Sequence, residues 1–286
     1  MQKVLVTGAT GFIGNYVVEE LLRRNLFVVT SSVDEEKASQ KNWYNKTNYR
    51  PLDLKQLNLK ENYFEFFGRP DIVIHLSWEG LPNYKDNFHT QQNLPVHKTF
   101  LENLIRNGLK NLNVTGTCFE YGMQEGRLSE NMPSLPENEY GRAKNELRLY
   151  IEELSRNYTF EYKWIRLFYL YGKGQNPKSL LSQLQQAIDN KDETFNMSGG
   201  EQVRDFLPVE KAAEYIVDIA LQTMVSGIIN CCSGEPVTVK QLVQRYLQEK
   251  KVTIHLNLGY YPYPDYEPMH FWGDNDKIKK IINHKE

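Results

Sequence analysis

Cysteine is scarce in this sequence: Cys118, Cys231 and Cys232 are the whole supply. Three thiols, two of them adjacent, provide neither a disulfide framework nor metal-ligand spacing. Charge of one sign is also missing. A net charge of −2 over 286 residues leaves no electrostatic footprint for nucleic acid, and no basic amphipathic segment marks a membrane surface. No apolar run approaches the roughly 20 residues of a membrane span. The six histidines are scattered, without a His-x-x-x-His pair. The apolar start Val4-Leu5-Val6 follows a single lysine and runs straight into glycines, so it reads as a strand rather than a signal peptide. The expectation is a cytoplasmic protein without a metal and without a nucleic-acid or membrane partner.

What is present is ordinary in amount and distinctive in order. Hydrophobic residues at 40% and charged residues at 24% suit a globular chain, and the length suggests about two domains. A short strand at Lys3 to Thr7, a glycine turn, a helix at Tyr16 to Arg24 and a strand at Phe27 to Ser31 make a βαβ unit with a right-handed crossover. Apolar strands recur at Asp71 to Leu76, Leu112 to Thr115, Tyr162 to Phe168 and Gly227 to Asn230. Helical patterns fill Pro95 to Asn107, Tyr140 to Arg156, Pro177 to Asp189, Val209 to Gln222 and Val239 to Gln248. Such alternation predicts an α/β fold, a doubly wound parallel sheet of the Rossmann type with a smaller C-terminal α/β lobe. The dinucleotide-binding domain is expected over 1–170 and a mainly substrate-binding lobe over 171–286, with the strand near 227–231 free to return to the first sheet.

Gly8-Ala9-Thr10-Gly11-Phe12-Ile13-Gly14 lies at a strand-to-helix junction. Glycines there permit a tight turn and close approach of backbone to a pyrophosphate, whose charge the amides at the helix start would bind. Thr10, Phe12 and Ile13 are expected to border the cofactor with them. An acid usually ends the second strand when the ribose hydroxyl is free. Ser31 and Ser32 stand there instead, with Asp34 slightly later, so NADP is favoured and NAD stays open; Lys37 is the nearest cation.

Tyr140 and Lys144, in Tyr140-Gly141-Arg142-Ala143-Lys144, lie four apart on a predicted helix and so share a face. An ammonium beside a phenol stabilises phenolate and lowers the tyrosine pKa toward the range of a working proton donor. By itself this spacing equally describes a solvated helix face. Coupled to a dinucleotide turn, it reads as a redox pair.

Together these residues resemble the extended short-chain dehydrogenase/reductase family, in its nucleotide-sugar epimerase, dehydratase and reductase branch, over nearly the whole chain. Thr7 to Gly14 matches the family's glycine turn, Asp53-Leu54 its adenine-contacting pair, and His75-Leu76-Ser77 its segment beside the cofactor. Asn93 resembles the asparagine that opens its fourth long helix. Thr115-Gly116-Thr117-Cys118-Phe119-Glu120-Tyr121-Gly122 resembles the strand end that carries the catalytic Ser/Thr, which falls on Thr117. Further matches run over Arg166 to Gly172, Gly200 to Val209 and Asn230 to Gly234. The resemblance implies Thr117, Tyr140 and Lys144 as the catalytic set. It implies cofactor contacts from Leu76, Ser77, Thr115, Tyr140, Lys144 and Phe168. Trp78, Thr117, Cys118, Phe119, Tyr169 and Arg204 would face a nucleotide-diphosphate sugar, with Arg204 on its diphosphate. A homodimer is the expected assembly.

Two departures narrow the reading. Dehydratases of this branch follow the catalytic Thr with Asp-Glu, whereas Cys118 and Phe119 cannot act as carboxyl acids. Epimerases usually place Asn where Tyr169 stands, so the substrate pocket is expected to differ. The first expectation is reduction of a nucleotide-linked 4-keto-6-deoxyhexose for a bacterial surface polysaccharide such as the O-antigen of lipopolysaccharide. A 4-epimerase with tightly held NAD is the alternative, and a non-catalytic NADP-binding regulator the remote one. Simpler readings accompany the sites: Thr117 as a β-branched strand end, Cys118 as a small buried hydrophobe, and Arg204 as a surface cation paired with Asp205.

Overall fold

A computed structural model describes residues 2–284. Its first half runs β1 (Lys3–Thr7), α1 (Phe12–Arg23), β2 (Phe27–Ser31), α2 (Glu35–Ser39), β3 (Asn48–Tyr49), α3 (Tyr63–Phe66), β4 (Ile72–His75), α4 (Leu94–Arg106), β5 (Asn111–Thr117), β6 (Gly126–Leu128) and α5 (Glu139–Asn157). The second half runs β7 (Glu161–Leu167), β8 (Tyr169–Tyr171), α6 (Leu180–Asp189), β9 (Thr194–Asn196), β10 (Val203–Pro208), α7 (Val209–Leu221), β11 (Gly227–Cys231), β12 (Pro236–Thr238), α8 (Val239–Lys250), β13 (His255–Asn257), β14 (Phe271–Gly273) and α9 (Asp276–Asn283).

Seven parallel strands form the main sheet in the order β11-β7-β5-β4-β1-β2-β3. Both faces are covered, which is why its strands read as continuous apolar runs rather than as an alternation. Val4 and Val6 pack with Val17, Leu21, Ile216 and Ile219 of α1 and α7 on one face; Leu5 and Val73 pack with Phe100, Leu104, Leu147 and Ile151 of α4 and α5 on the other. The chain leaves β1 toward β2 and β3, then returns to place β4 on the opposite side of β1. That reversal opens a crevice at the carboxyl ends of β1 and β4, where Thr7 lies beside His75. β11 pairs in parallel with β7. A separate three-stranded sheet, β12-β10-β8, and the β13-β9 pair carry a third apolar cluster built on Leu184, Phe195, Val243 and Ile254.

Three differences from expectation bear on the site. The first helix starts at Phe12, not Tyr16, because Gly11 is extended (φ −71°, ψ 173°) and already caps it, so Gly14 lies inside the helix. The strand β3, two residues long, carries too short a pattern to be read. The fifth strand runs to Thr117, two residues past the expected Thr115, and a 3₁₀ turn over Cys118–Tyr121 follows it.

The three cysteines are free and buried. Among the described residues no His/Cys/Asp/Glu group could hold a metal, and no helix is long and apolar enough to cross a membrane.

Candidate active site

At the head of the crevice the main chain does the shaping. Gly8 sits at φ +69°, a conformation that L side chains rarely adopt, and a Cβ there would press on the Ser77 backbone. A Cβ on Gly14 would overlap the Gly8 carbonyl oxygen. A groove of about 390 Å³ opens above them, lined by Gly8, Thr10, Gly11, Ser31, Ser32, Leu54, Leu76, Ser77 and Trp78 of the expected set. A dinucleotide fits this cradle: the glycines keep side chains out of the space that a pyrophosphate needs, and the start of α1 presents its amides to it.

Other expected cofactor residues fall elsewhere. Phe12 turns edge-on to Tyr16, and Ile13 packs against the core. Asp53 caps the 3₁₀ turn at Leu54–Gln56, taking the Lys55 amide at 2.9 Å. Phe168 is enclosed with Cys118, Tyr121, Leu128, Cys232 and Phe271. Asp34 and Lys37 both line the groove, and Asp34 also caps α2 by accepting the Lys37 amide at 2.8 Å. Sequence reading missed Val96, His97 and Phe100 along the same groove; they come from α4, whose register against the sheet no local pattern fixes.

At the other end the chain brings Thr117, Tyr140 and Lys144 together. Asn138 caps α5, its side chain accepting the Gly141 amide at 2.8 Å. Tyr140 and Lys144 follow on one buried face, 7% and 1% exposed. The Tyr140 amide donates to the Tyr84 carbonyl at 3.0 Å, which ties the loop over 82–86 to the first turn. The Thr117 hydroxyl lies near enough to the Tyr140 phenol to draw its pKa down. Lys144 Nζ donates to the Thr115 carbonyl at 2.9 Å and lies 4.1 Å over the Trp78 ring.

The electrostatics depart from expectation. Burial, with the neighbouring Tyr84, Glu120 and Cys118, pushes the Tyr140 phenol up, and only the Thr117 hydroxyl pulls it down. Burial lowers Lys144 to about 7. The lysine therefore does not depress the tyrosine: near neutrality it carries only part of its charge.

Behind this pair runs a line of buried histidines that sequence reading did not find. Thr7 Oγ1 meets His75 Nδ1 at 2.8 Å, and His75 Nε2 meets His97 Nδ1 at 2.8 Å. Burial holds His75 at about 3 and His97 well below its usual value, so both are neutral. Trp78 stacks on His97 with ring centres 4.6 Å apart and donates its indole N–H to His89 Nδ1.

The expected substrate residues form an aromatic enclosure. Phe119 contacts Tyr84, Tyr140, Tyr169 and Tyr266. The Tyr169 hydroxyl donates to the Glu267 carboxylate, and Arg204 Nε lies 3.4 Å from the same group. Arg204 is buried, its Nη1 donating to the Val203 and Met269 carbonyls. It is no surface cation paired with Asp205, whose carboxylate takes Ser233 and the Gly234 and Gly273 amides. Cys118 is a buried thiol whose pKa burial pushes up, which removes it as a nucleophile.

Comparison with known proteins gives this geometry a context. Residues 4–232 match the NAD dependent epimerase/dehydratase family. The chain belongs to that family. It is 30% identical over 271 residues to a dTDP-6-deoxy-L-talose 4-dehydrogenase (NAD(+)) of Aggregatibacter actinomycetemcomitans, covering 94% of this chain and 98% of that one. It is 28% identical to a dTDP-4-dehydro-6-deoxyglucose reductase of Escherichia coli, covering 84% and 79%. The fold matches that of a UDP-N-acetylglucosamine 4-epimerase from Methanobrevibacter ruminantium with TM-score 0.85 and 23% identity, over 98% and 91% of the two chains. The protein is an enzyme of the nucleotide-sugar oxidoreductase and epimerase class, with an NAD-type cofactor.

Proposed function

We propose that this enzyme reduces the 4-keto group of a nucleotide-linked 6-deoxyhexose. The observation that carries the reading is the convergence of Thr117, Tyr140 and Lys144 beside a dinucleotide-shaped groove, with Cys118 and Phe119 where elimination would need acids. The relatives named as 4-dehydrogenase and 4-keto reductase of dTDP-6-deoxy sugars support the same carbon and the same sugar class. A bound nicotinamide supplies the hydride. Tyr140 gives its proton to the oxygen that becomes alkoxide, and Thr117 hydrogen-bonds that oxygen where charge develops. Burial suits Tyr140 to this direction, because it keeps the phenol protonated until the substrate oxygen takes the proton. Lys144 would leave the Thr115 carbonyl to orient the nicotinamide ribose. Residues 171–286 form most of the sugar-binding side in this reading, with Tyr169, Arg204 and Glu267 at the boundary. Arg204 reaches a diphosphate only if the substrate displaces Glu267.

NADP is the proposed cofactor, since no carboxylate ends β2 and Lys37 lines the groove; Asp34, which lines it too, gives one oxygen to capping α2. The protein is proposed to be cytoplasmic and to pair as a homodimer. Purified enzyme incubated with NADPH or NADH and dTDP-, CDP-, GDP- or UDP-linked 4-keto-6-deoxy sugars should oxidise NADPH with one of them. Faster oxidation of NADH would overturn the cofactor assignment. A 4-epimerase would instead retain a cofactor absorbance through dialysis and turn over without added NADPH. Silence across the panel would favour a binding role.

A further inference from the structure

We propose that Glu120 is a positioning residue for this site: its buried carboxylate, clamped by Trp164 and Arg166, fixes the backbone of Thr117 and sets the field around Tyr140 and Lys144. The inference rests on the catalytic reading of those three residues.

Glu120 is fully buried at the third position of the 3₁₀ turn that ends β5. Its carboxylate accepts the Thr117 amide at 2.9 Å, the Trp164 indole N–H at 2.9 and 3.0 Å, and Arg166 Nε at 2.8 Å. Thr117 completes a reciprocal box, its hydroxyl accepting the Phe119 amide at 3.3 Å. Gly116 makes room for the arrangement, because any Cβ there would collide with the Trp164 indole and the Glu120 carboxylate. Arg166 is fully buried as well. Its Nη2 donates to Ser134 Oγ at 2.5 Å and its guanidinium stacks 4.3 Å from the Tyr121 ring, while Nη1 has no partner.

A buried ion pair is a poor means of holding a fold together, since apolar residues of similar volume usually serve as well or better. Here the pair is placed where its direction matters. Glu120 grips the amide of the residue whose hydroxyl meets Tyr140, so a shift of the turn moves that hydroxyl off line. Its negative charge also acts on both titrating partners, raising Lys144 against the burial that lowers it and raising Tyr140 further. The other titratable groups around Lys144 are His75 from β4 and His97 from α4, both neutral, His89 from the turn before α4, which burial lowers, and Tyr140 on its own helix. Cys118, a protonated thiol, faces Tyr140.

The test is Glu120→Gln in the full chain, read two ways. In protein labelled with ¹³C-lysine, the Lys144 Cε signal, assigned by its loss in Lys144→Met, should titrate near 7 in the parent. In the variant its midpoint should fall by roughly half a pH unit or more. Turnover of dTDP-4-dehydro-6-deoxyglucose with NADPH should drop about 10- to 100-fold with KM for NADPH unchanged, as for a displaced reacting group. Glu120→Asp, which keeps the charge and shortens the reach, should restore the lysine midpoint but not the rate. If Glu120→Gln does not fold, Glu120→Gln with Arg166→Met removes the unpaired guanidinium and carries the same readouts. A folded variant with an unmoved lysine midpoint and turnover within about twofold of the parent sinks the proposal. Tyr140→Phe separates the two ideas: full activity there ends the catalytic reading, whereas the lysine titration judges Glu120 without any turnover.

Discussion

Around Gly8, Gly11 and Gly14 the main chain packs so closely that an added methyl would strike neighbouring backbone. Around Tyr140 the walls are side chains, Phe119 from the 3₁₀ turn after β5, Tyr84 from the loop over 82–86 and Tyr266 beyond them. The glycine end works by leaving space, its binding groups being amides that every residue owns. The tyrosine end works by burying ionisable groups so that their proton affinities move: Lys144 down, Tyr140 up, His75 and His97 held neutral. Damage at the first end should therefore appear in cofactor affinity, and damage at the second in rate and pH dependence.

The sharpest separation is expected from Tyr140→Phe. Turnover should fall about 10²- to 10⁴-fold, the usual scale for a positioned proton donor, while NADPH binding followed by fluorescence stays at the parent value. A matching loss of cofactor affinity would merge the two ends into one. Gly14→Ala probes the opposite case. Its methyl group meets the Gly8 carbonyl oxygen, so the turn must shift, costing about 1–3 kcal/mol of stability in urea unfolding. Cofactor affinity should fall with it, and an unaltered variant would mean that the turn has more slack than its packing implies.

Third is the pH dependence of stability at the tyrosine end. Lys144 titrates near 7 when folded and at its ordinary value of 10.5 when unfolded. The unfolded chain thus binds the extra proton between those limits, so the contribution of Lys144 to stability rises with pH across that window. Below about 7 the cost of burying its charge is fully present. Relative to Lys144→Met, the parent should gain roughly 1 kcal/mol per pH unit just above neutrality in urea unfolding. A flat difference would show the lysine to be unperturbed. The smallest effect belongs to Lys85→Ala, which removes an exposed ion pair with Asp265 at 2.8 Å on the rim. Its melting temperature should match the parent's, because exposed pairs are screened by solvent.

How far each end could be read in advance follows from the same contrast. The glycine turn, β1 and the helix after it are contiguous, so spacing alone exposed them. Tyr140 and Lys144 were legible as a pair because helical geometry puts them on one face, yet the direction of their pKa shifts was not. That direction depends on burial under Trp78, Tyr84 and Phe119, residues 21 to 66 positions away along the chain. Arg204 was foreseen facing a diphosphate; that it is held meanwhile by Glu267, from a segment with no periodic pattern, was not. Glu120 and its partners Trp164 and Arg166 lie 44 and 46 positions apart, so no local pattern joins them.

From its residues alone, this chain was bound to an alternating α/β order, a glycine-walled turn and a tyrosine–lysine helix face, since each depends on neighbours a few positions apart. Only tertiary packing decided that Lys144 titrates near neutrality, that Tyr140 keeps its proton, and that Glu120 and Arg166 meet behind Thr117. Those outcomes turn on how deeply water is excluded and which charges meet, and both are properties of the closed fold.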